Sequence, residues 1–250
     1  MRLEQRKILI TGGGSGIGLA LAQALAPTND VVIAGRDVQK LERAKAGLPV
    51  LHTLRLDVTS EDEARAGVAW MADSFGGIDL LVNSAGVLRG QAFQSAAAEA
   101  ATSEEVTVNL VGAARMTRVA LPILRRSGDG AVLFLSSAVA LASSPGLAVY
   151  AATKAAIHSL ARSLRAELRG EVKVFDVLPP FVDTELARGF GRTKMPAARV
   201  ADEIVRALRQ DQFEVPIGRI KALGIVSRLA PSLADAILAR ELRTRVAAIL

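Results

Sequence analysis

Cysteine is absent from the 250 residues, which excludes disulfides and thiolate metal sites and suits a reducing compartment. Aromatic residues are scarce at 4%, with one Tyr and one Trp, so the core has to be built from Ala, Val, Leu and Ile. Histidine occurs only twice. Neither His52 nor His158 has a carboxylate or second histidine at ligand spacing, so both read as packed or exposed residues rather than metal ligands. No signal-type segment opens the chain. The apolar run Ile8–Ile10 is too short for one, and a cytoplasmic location is expected. Ala131 to Thr153 lacks any charge, yet Ser136, Ser137, Ser143, Ser144, Pro145 and Gly146 interrupt it. A buried strand followed by a loop explains those residues, and a membrane span does not.

Acidic residues are under-represented only in the tail. From residue 186 onward there are 12 Lys+Arg against 6 Asp+Glu, whereas residues 1–185 hold 19 of each, so the whole net charge of +6 lies at the end. A nucleic-acid binder would spread its basic residues over a binding face, so no nucleic-acid partner is expected. The tail reads as a solvated face or a patch for an anionic partner.

What is present is alternation. Short apolar runs at Lys7–Thr11, Val31–Gly35, Val50–Leu56, Ile78–Val82, Ala131–Ser136 and Val172–Leu178 read as strands buried on both faces. Helical patterns fall between them, at Gly16–Leu25, after Asp37 (placed to cap), and near 60–75, 102–126 and 148–169. Such alternation predicts an α/β fold: a doubly wound, mostly parallel sheet with helices on both faces, in one domain spanning 1–250. After Pro179-Pro180, residues 181–196 read as a loop of the length that covers a site. A helix near 197–210 and a short strand, Phe213–Pro216, follow. From Ser232 a capping pattern opens a last helix with an apolar stripe of Leu233, Ile237, Leu238, Leu242, Val246 and Ile249, within an atypical tail at 217–250.

Two motifs carry chemistry. Tyr150 and Lys154 lie four apart on a helix and share one face, so the ammonium can lower the phenol's pKa from its usual ~10 and make it a usable acid or base. Ser137, on the strand side, can polarise a carbonyl oxygen. Thr11-Gly12-Gly13-Gly14-Ser15-Gly16-Ile17-Gly18 links the first strand to the first helix, where glycines let backbone approach a pyrophosphate seated on free helix N–H groups.

Together with Asp57-Val58, Asn83-Ser84-Ala85-Gly86, Asn109 and the thirteen-residue interval from Ser137 to Tyr150, these motifs resemble the short-chain dehydrogenase/reductase family over roughly residues 5–185. The resemblance implies an oxidoreductase interconverting a carbonyl and an alcohol by hydride transfer. In that reading Tyr150 is proton donor or acceptor, Lys154 holds the cofactor ribose, Ser137 orients the carbonyl and Asn109 supports a water chain to the lysine. Gly12, Ser15, Gly16, Ile17 and Gly18 would form the pyrophosphate loop. Asp57 and Val58 would bracket adenine, while Asn83, Ala85, Gly86, Pro180, Val182 and Thr184 would serve the nicotinamide end. The family also implies a homodimer or homotetramer. Ser84 replaces the usual second asparagine, Pro180 a common glycine, and a C-terminal Asp-Gly-Gly segment is missing.

After the second strand, the acidic residue expected to grip the 2′-hydroxyl of NAD is replaced by Gly35-Arg36. A guanidinium there suits a 2′-phosphate, so NADP(H) is favoured over NAD(H); the alternative has Arg36 solvated and Asp37 on the ribose. The loops at 87–100 and 181–196 would shape the pocket for a small-molecule carbonyl or alcohol, with Phe93, Phe181, Leu186, Phe190 and Met195 hinting at an apolar ligand. The competing class is a nucleotide-binding regulatory or scaffold protein without turnover. For the last helix, packing or oligomer contact is favoured over membrane-surface docking or a substrate lid.

Overall fold

The structure, a computed structural model, describes residues 1–90, 92–142, 144–188 and 194–249, with side chains described through Leu242. Seven strands form one fully parallel sheet in the order β3-β2-β1-β4-β5-β6-β9. They are β1 (Lys7–Thr11), β2 (Asp30–Gly35), β3 (His52–Arg55), β4 (Leu80–Asn83), β5 (Ala131–Leu135), β6 (Lys173–Leu178) and β9 (Glu214–Pro216). Two further short strands, β7 (Val182–Asp183) and β8 (Met195–Pro196), pair with each other outside it. Ile8 faces Val31 on one side and Leu80 on the other, so the strand order reverses between β1 and β4. A reversal of this kind opens a crevice at the carboxyl ends of the strands.

Burial on both faces explains why the inner strands are continuous apolar runs; edge strand β3 is mixed in composition and without a buried residue, which corrects the expectation that it is covered on both faces. On one face Ile8, Ile10, Leu133 and Phe175 pack under α1 (Gly16–Leu25) and α7 (Ala197–Arg209) through Leu21, Ile204 and Leu208. On the other, Leu9, Leu81 and Phe134 meet α3 (Glu61–Phe75), α5 (Ala113–Arg126) and α6 (Ala148–Glu167) through Met71, Met116 and Ile157. Asp37 caps α2 (Val38–Gly47) by accepting from the Lys40 N–H at 3.0 Å, and Ser60 caps α3 from Glu63.

Two expectations need correction. The helix anticipated over 102–126 is three pieces: α4 (Ala98–Glu105), a π-helical stretch Val106–Gly112, and α5. Wide turns of this kind break the 3.6-residue rhythm that sequence reading relies on, and they often sit at functional sites. The tail also holds a helix beyond the single one expected from Ser232, since α8 (Ile220–Leu229) precedes α9 (Pro231–Ile249). On α9 the buried residues are Ala234, Leu238 and Leu242, while Leu233 and Ile237 are exposed, so the packed stripe is rotated from the one anticipated. Leu238 and Leu242 pack in the same apolar cluster as Leu147 and Tyr150. The side chains of Val246 and Ile249 lie outside the described residues.

Phe175 is fully buried, with its ring centroid 5.2 Å from that of Phe213. Phe175→Ala removes this filling from the core beneath β6 and should cost about 3–5 kcal/mol. The check is urea unfolding, as a lowered midpoint with an unchanged slope.

Candidate active site

The glycine loop leaves β1 and crosses the end of β4. Gly12 has φ +67° and Gly16 φ +56°, in the region where a side chain is strained. A Cβ on Gly12 would fall 2.7 Å from the Ala85 backbone. The Thr11 hydroxyl holds that approach together: it accepts from the N–H groups of Ser84 and Ala85 at 3.2 and 3.3 Å and donates to the Val82 carbonyl at 3.2 Å. Ser15 precedes α1 in extended conformation without a side-chain cap bond, so the first N–H groups of the helix are left for another acceptor.

Over this loop lie two adjoining cavities that share Gly12, Ser15 and Gly86. The one toward β2 has about 210 Å³ and is bounded by Gly35, Arg36, Asp57, Val58 and Ala85. Arg36 is 52% exposed, with its guanidinium 4.0 Å from Asp57. Asp37 is occupied as the α2 cap, which leaves Arg36 as the polar head at this end. Burial works against ionisation of Asp57. Hydrogen bonds from the Thr59 N–H and hydroxyl, with the charges of Arg36 and Arg55, nevertheless hold it below the usual carboxylate value.

The second cavity, about 170 Å³, brings together Ser137, Tyr150, Lys154, Ile17, Pro180, Val182 and Thr184. Lys154 donates from Nζ to the Leu135 carbonyl at 2.8 Å, and the same ammonium lies 5.6 Å from the Tyr150 ring centroid. Burial lowers the Lys154 pKa to about 8, against the opposing pull of Asp176. Burial also raises the Tyr150 pKa, and the charge of Glu105 raises it further. This corrects the expectation that Lys154 lowers it: desolvation of the phenolate is the largest influence on the group, and the ammonium does not offset it.

Other expected residues sit one layer back. Asn109, on the π-helical stretch, is buried and bonds both backbone groups of Val87, accepting from its N–H at 2.8 Å and donating to its carbonyl at 2.9 Å. It also donates to Thr153 at 3.2 Å, so it supports the wall of the site from behind. Asn83 donates to Thr117 at 3.0 Å, and its Oδ1 is the one buried side-chain polar atom without a partner among the described residues. Gly18 lies under the loop, where a Cβ would meet the Gly12 carbonyl at 2.6 Å. Of the apolar residues, Phe181 and Leu186 line this second cavity, with Ser137 and Tyr150. Phe93 is 75% exposed and Met195 packs on the α1/α7 core, so neither does; Phe190 lies outside the described residues.

Sequence reading missed the groups that support the site. His158 does have a carboxylate partner: its Nδ1 lies 2.5 Å from Oδ2 of Asp176, which is wholly buried and also accepts from Ser136 at 2.6 Å. Glu105, also buried, accepts from the Arg89 N–H at 2.7 Å, and its charge acts on Tyr150. No group of three or more His, Cys, Asp or Glu among the described residues could hold a metal, and no described helix is long and apolar enough to cross a membrane.

A crevice at a parallel-sheet switch point, a glycine loop over a helix start and a buried Tyr–Lys pair define a dinucleotide-type oxidoreductase site, and comparison with known proteins agrees. The short chain dehydrogenase family model matches residues 6–195, and the chain belongs to the short-chain dehydrogenase/reductase family of oxidoreductases. It is 34% identical to oxidoreductase DltE of Bacillus subtilis over 189 residues, covering 74% of this chain and 75% of that protein. It is 30% identical to the 3-oxoacyl-acyl-carrier-protein reductase FabG of Thermotoga maritima, covering 88% and 96%. Among solved structures, a short chain dehydrogenase from Burkholderia cenocepacia in complex with NADP superposes with a TM-score of 0.85 at 28% identity, covering 95% of this chain and 99% of that one. One from Burkholderia phymatum in complex with NAD gives 0.83 at 26%, covering 92% and 94%.

The depressed Lys154 pKa has a consequence for stability. Below about pH 8 both folded and unfolded chains hold its proton, and between there and the ordinary value of 10.5 only the unfolded chain does. Stability therefore gains from this group as pH rises through that window. Lys154→Met should remove the gain, read as the difference in urea midpoint between about pH 7.5 and about pH 9.5 in the two proteins.

Proposed function

We propose that the protein is an NADP(H)-dependent oxidoreductase that interconverts a carbonyl and an alcohol on a small or medium-sized organic molecule. The observation that carries this reading is the sharing of one cavity by Ser137, Tyr150 and Lys154, continuous with the glycine-loop cleft that Arg36 borders. The cradle suits a dinucleotide: backbone already fills the Cβ position of Gly12, and α1 begins without a side-chain cap. Gly12, Ser15, Gly16, Ile17 and Gly18 would hold the pyrophosphate, Asp57 and Val58 the adenine, and Arg36 a 2′-phosphate. Ala85, Gly86, Pro180, Val182 and Thr184 would line the nicotinamide end, with Asn83 supporting it.

When bound, the nicotinamide supplies or accepts the hydride. In reduction, Tyr150 gives its phenolic proton to the substrate oxygen as the carbonyl carbon gains the hydride; in oxidation it takes that proton back. Ser137 donates a hydrogen bond to the same oxygen and fixes its direction. Lys154, charged below about pH 8, favours the phenolate and offsets part of the cost of ionising a buried tyrosine. The name of the T. maritima relative and the NADP complex of the B. cenocepacia neighbour support reaction class and cofactor.

Calorimetric titration should give tighter binding of NADPH than of NADH. Arg36→Ala should weaken NADPH by about tenfold or more while leaving NADH little changed, the loss expected for one charge-assisted phosphate contact. Equal losses for both would remove the assignment of Arg36. Tyr150→Phe should retain cofactor affinity and lose about 10²–10⁴ in turnover with any carbonyl substrate the wild type reduces. A variant with near-normal turnover would contradict the mechanism.

A further inference from the structure

A further cavity lies at the opposite end of the sheet from Ser137, Tyr150 and Lys154. It has about 610 Å³ and opens between the C-terminal half of α6, the start of β6 and the loop before β5. Ser137 follows the far end of β5, a strand of five residues and so about 16 Å long, which places the cavity beyond reach of a ligand seated at Tyr150.

Its lining is cationic. Arg162, Arg165 and Arg169 recur at intervals of three and four and all face the cavity, with Lys173 beside them. The carboxylates nearby are already engaged. Asp129 pairs with Arg6 at 2.6 Å and Lys173 at 3.0 Å, Glu171 with Arg125 at 2.6 Å, and Asp211 with the N-terminal amine at 2.7 Å and Lys173 at 2.9 Å. Arg165 is held in place by bonds to the Val174 and Phe213 carbonyls at 3.0 and 2.9 Å, with its guanidinium 5.7 Å from the Phe213 ring centroid. Among the described residues, Arg162 and Arg169 make no hydrogen bond or ion pair. Burial lowers the Arg165 pKa, against the pull of Asp176 and Glu214, and repulsion from Arg162 lowers it further, so Arg165 faces the cavity at a cost.

The negative end of α6 accounts for part of this arrangement but not all of it. That field fades within the last turn, which contains Arg165. Arg162 lies a turn earlier, and Arg169 is past the helix end at Glu167. Guanidiniums present forked donors that match phosphoryl oxygens, and Phe213 with Val172 offers an apolar wall beside them. We propose that this cavity is a second binding site, distinct from the cofactor cleft, for an organic phosphate whose phosphoryl group is held by Arg162 and Arg169 and whose body lies against Phe213. The volume is in the range of small-molecule sites.

Inorganic pyrophosphate is the probe, titrated calorimetrically at physiological ionic strength into wild type, R162Q/R169Q and wild type already saturated with NADPH. The third titration is needed because the glycine-loop cleft can also take pyrophosphate, and bound dinucleotide blocks it. The side chains of both arginines of the double variant are exposed and unpartnered among the described residues, so the fold should survive, which circular dichroism can verify. The expected result is saturable binding that weakens about tenfold or more in R162Q/R169Q and persists with NADPH bound, as loss of charged hydrogen bonds predicts. Absence of saturable binding in wild type overturns the proposal. So does binding that NADPH abolishes, or a double-variant isotherm that superimposes on wild type.

Discussion

An ammonium buried between a helix and the end of a strand sets the geometry of this protein's site. Lys154 gives a proton of Nζ to the Leu135 carbonyl, the last residue of β5, and so ties α6 to the sheet where Ser137 leaves it. Removing an ammonium from water is costly, and the cost shows in a pKa drawn down to about 8. What opposes it is equally buried: the Asp176 carboxylate on β6, itself held by Ser136 and His158. Two contacts from α6, Lys154 to β5 and His158 to Asp176 on β6, thus fix β5, β6 and α6 relative to one another. Tyr150 is carried one turn along the same helix and inherits that placement.

The cofactor half depends on a different kind of constraint, the absence of side chains. At the exit of β1 the chain runs within contact distance of the exit of β4, and Thr11 uses its single hydroxyl to satisfy three backbone groups there. Because the order of strands reverses between these two neighbours, their exits diverge into helices on opposite faces and leave the crevice open. A buried hydroxyl that meets all three partners costs little, whereas valine would fill the space and leave the Ala85 N–H without its partner, the Ser84 N–H keeping its bond to the Val82 carbonyl.

The sheet was legible because its strands are short, apolar and punctuated by glycine or proline, and every one of the seven falls within or beside its anticipated run. Cavity-sharing by Ser137, Tyr150 and Lys154 was legible too, since two of them are helix neighbours and the third belongs to a recognised pattern. Pairs between distant elements were not. His158 and Asp176 meet only because α6 packs on β6 in one particular rotation, which no local spacing encodes. Glu105 ends a helix of ordinary composition, and nothing in its neighbours announces that it points inward. The π-helical stretch is hidden for a related reason: its extra residue per turn shifts Asn109 off the stripe that an ideal helix would draw.

Fold similarity leaves the choice of nucleotide open, because neighbours of nearly equal TM-score are complexes with NAD and with NADP. Discrimination has to rest on the residues that follow β2. There a carboxylate would repel a 2′-phosphate, yet the one acidic side chain in the segment, Asp37, already accepts a bond from the Lys40 N–H as the cap of α2. Turning it toward a ribose would uncap the helix at a cost of about 1 kcal/mol. Arg36 meets no such conflict, since its one ion pair among the described residues, with Asp57, spans 4.0 Å with the guanidinium side chain half exposed, a contact that water screens and a phosphate can outcompete. In the NADP(H) reading we propose, selectivity for the phosphorylated cofactor would follow from the division of labour between two adjacent residues: the carboxylate is committed to the helix, and the guanidinium is left to the ligand.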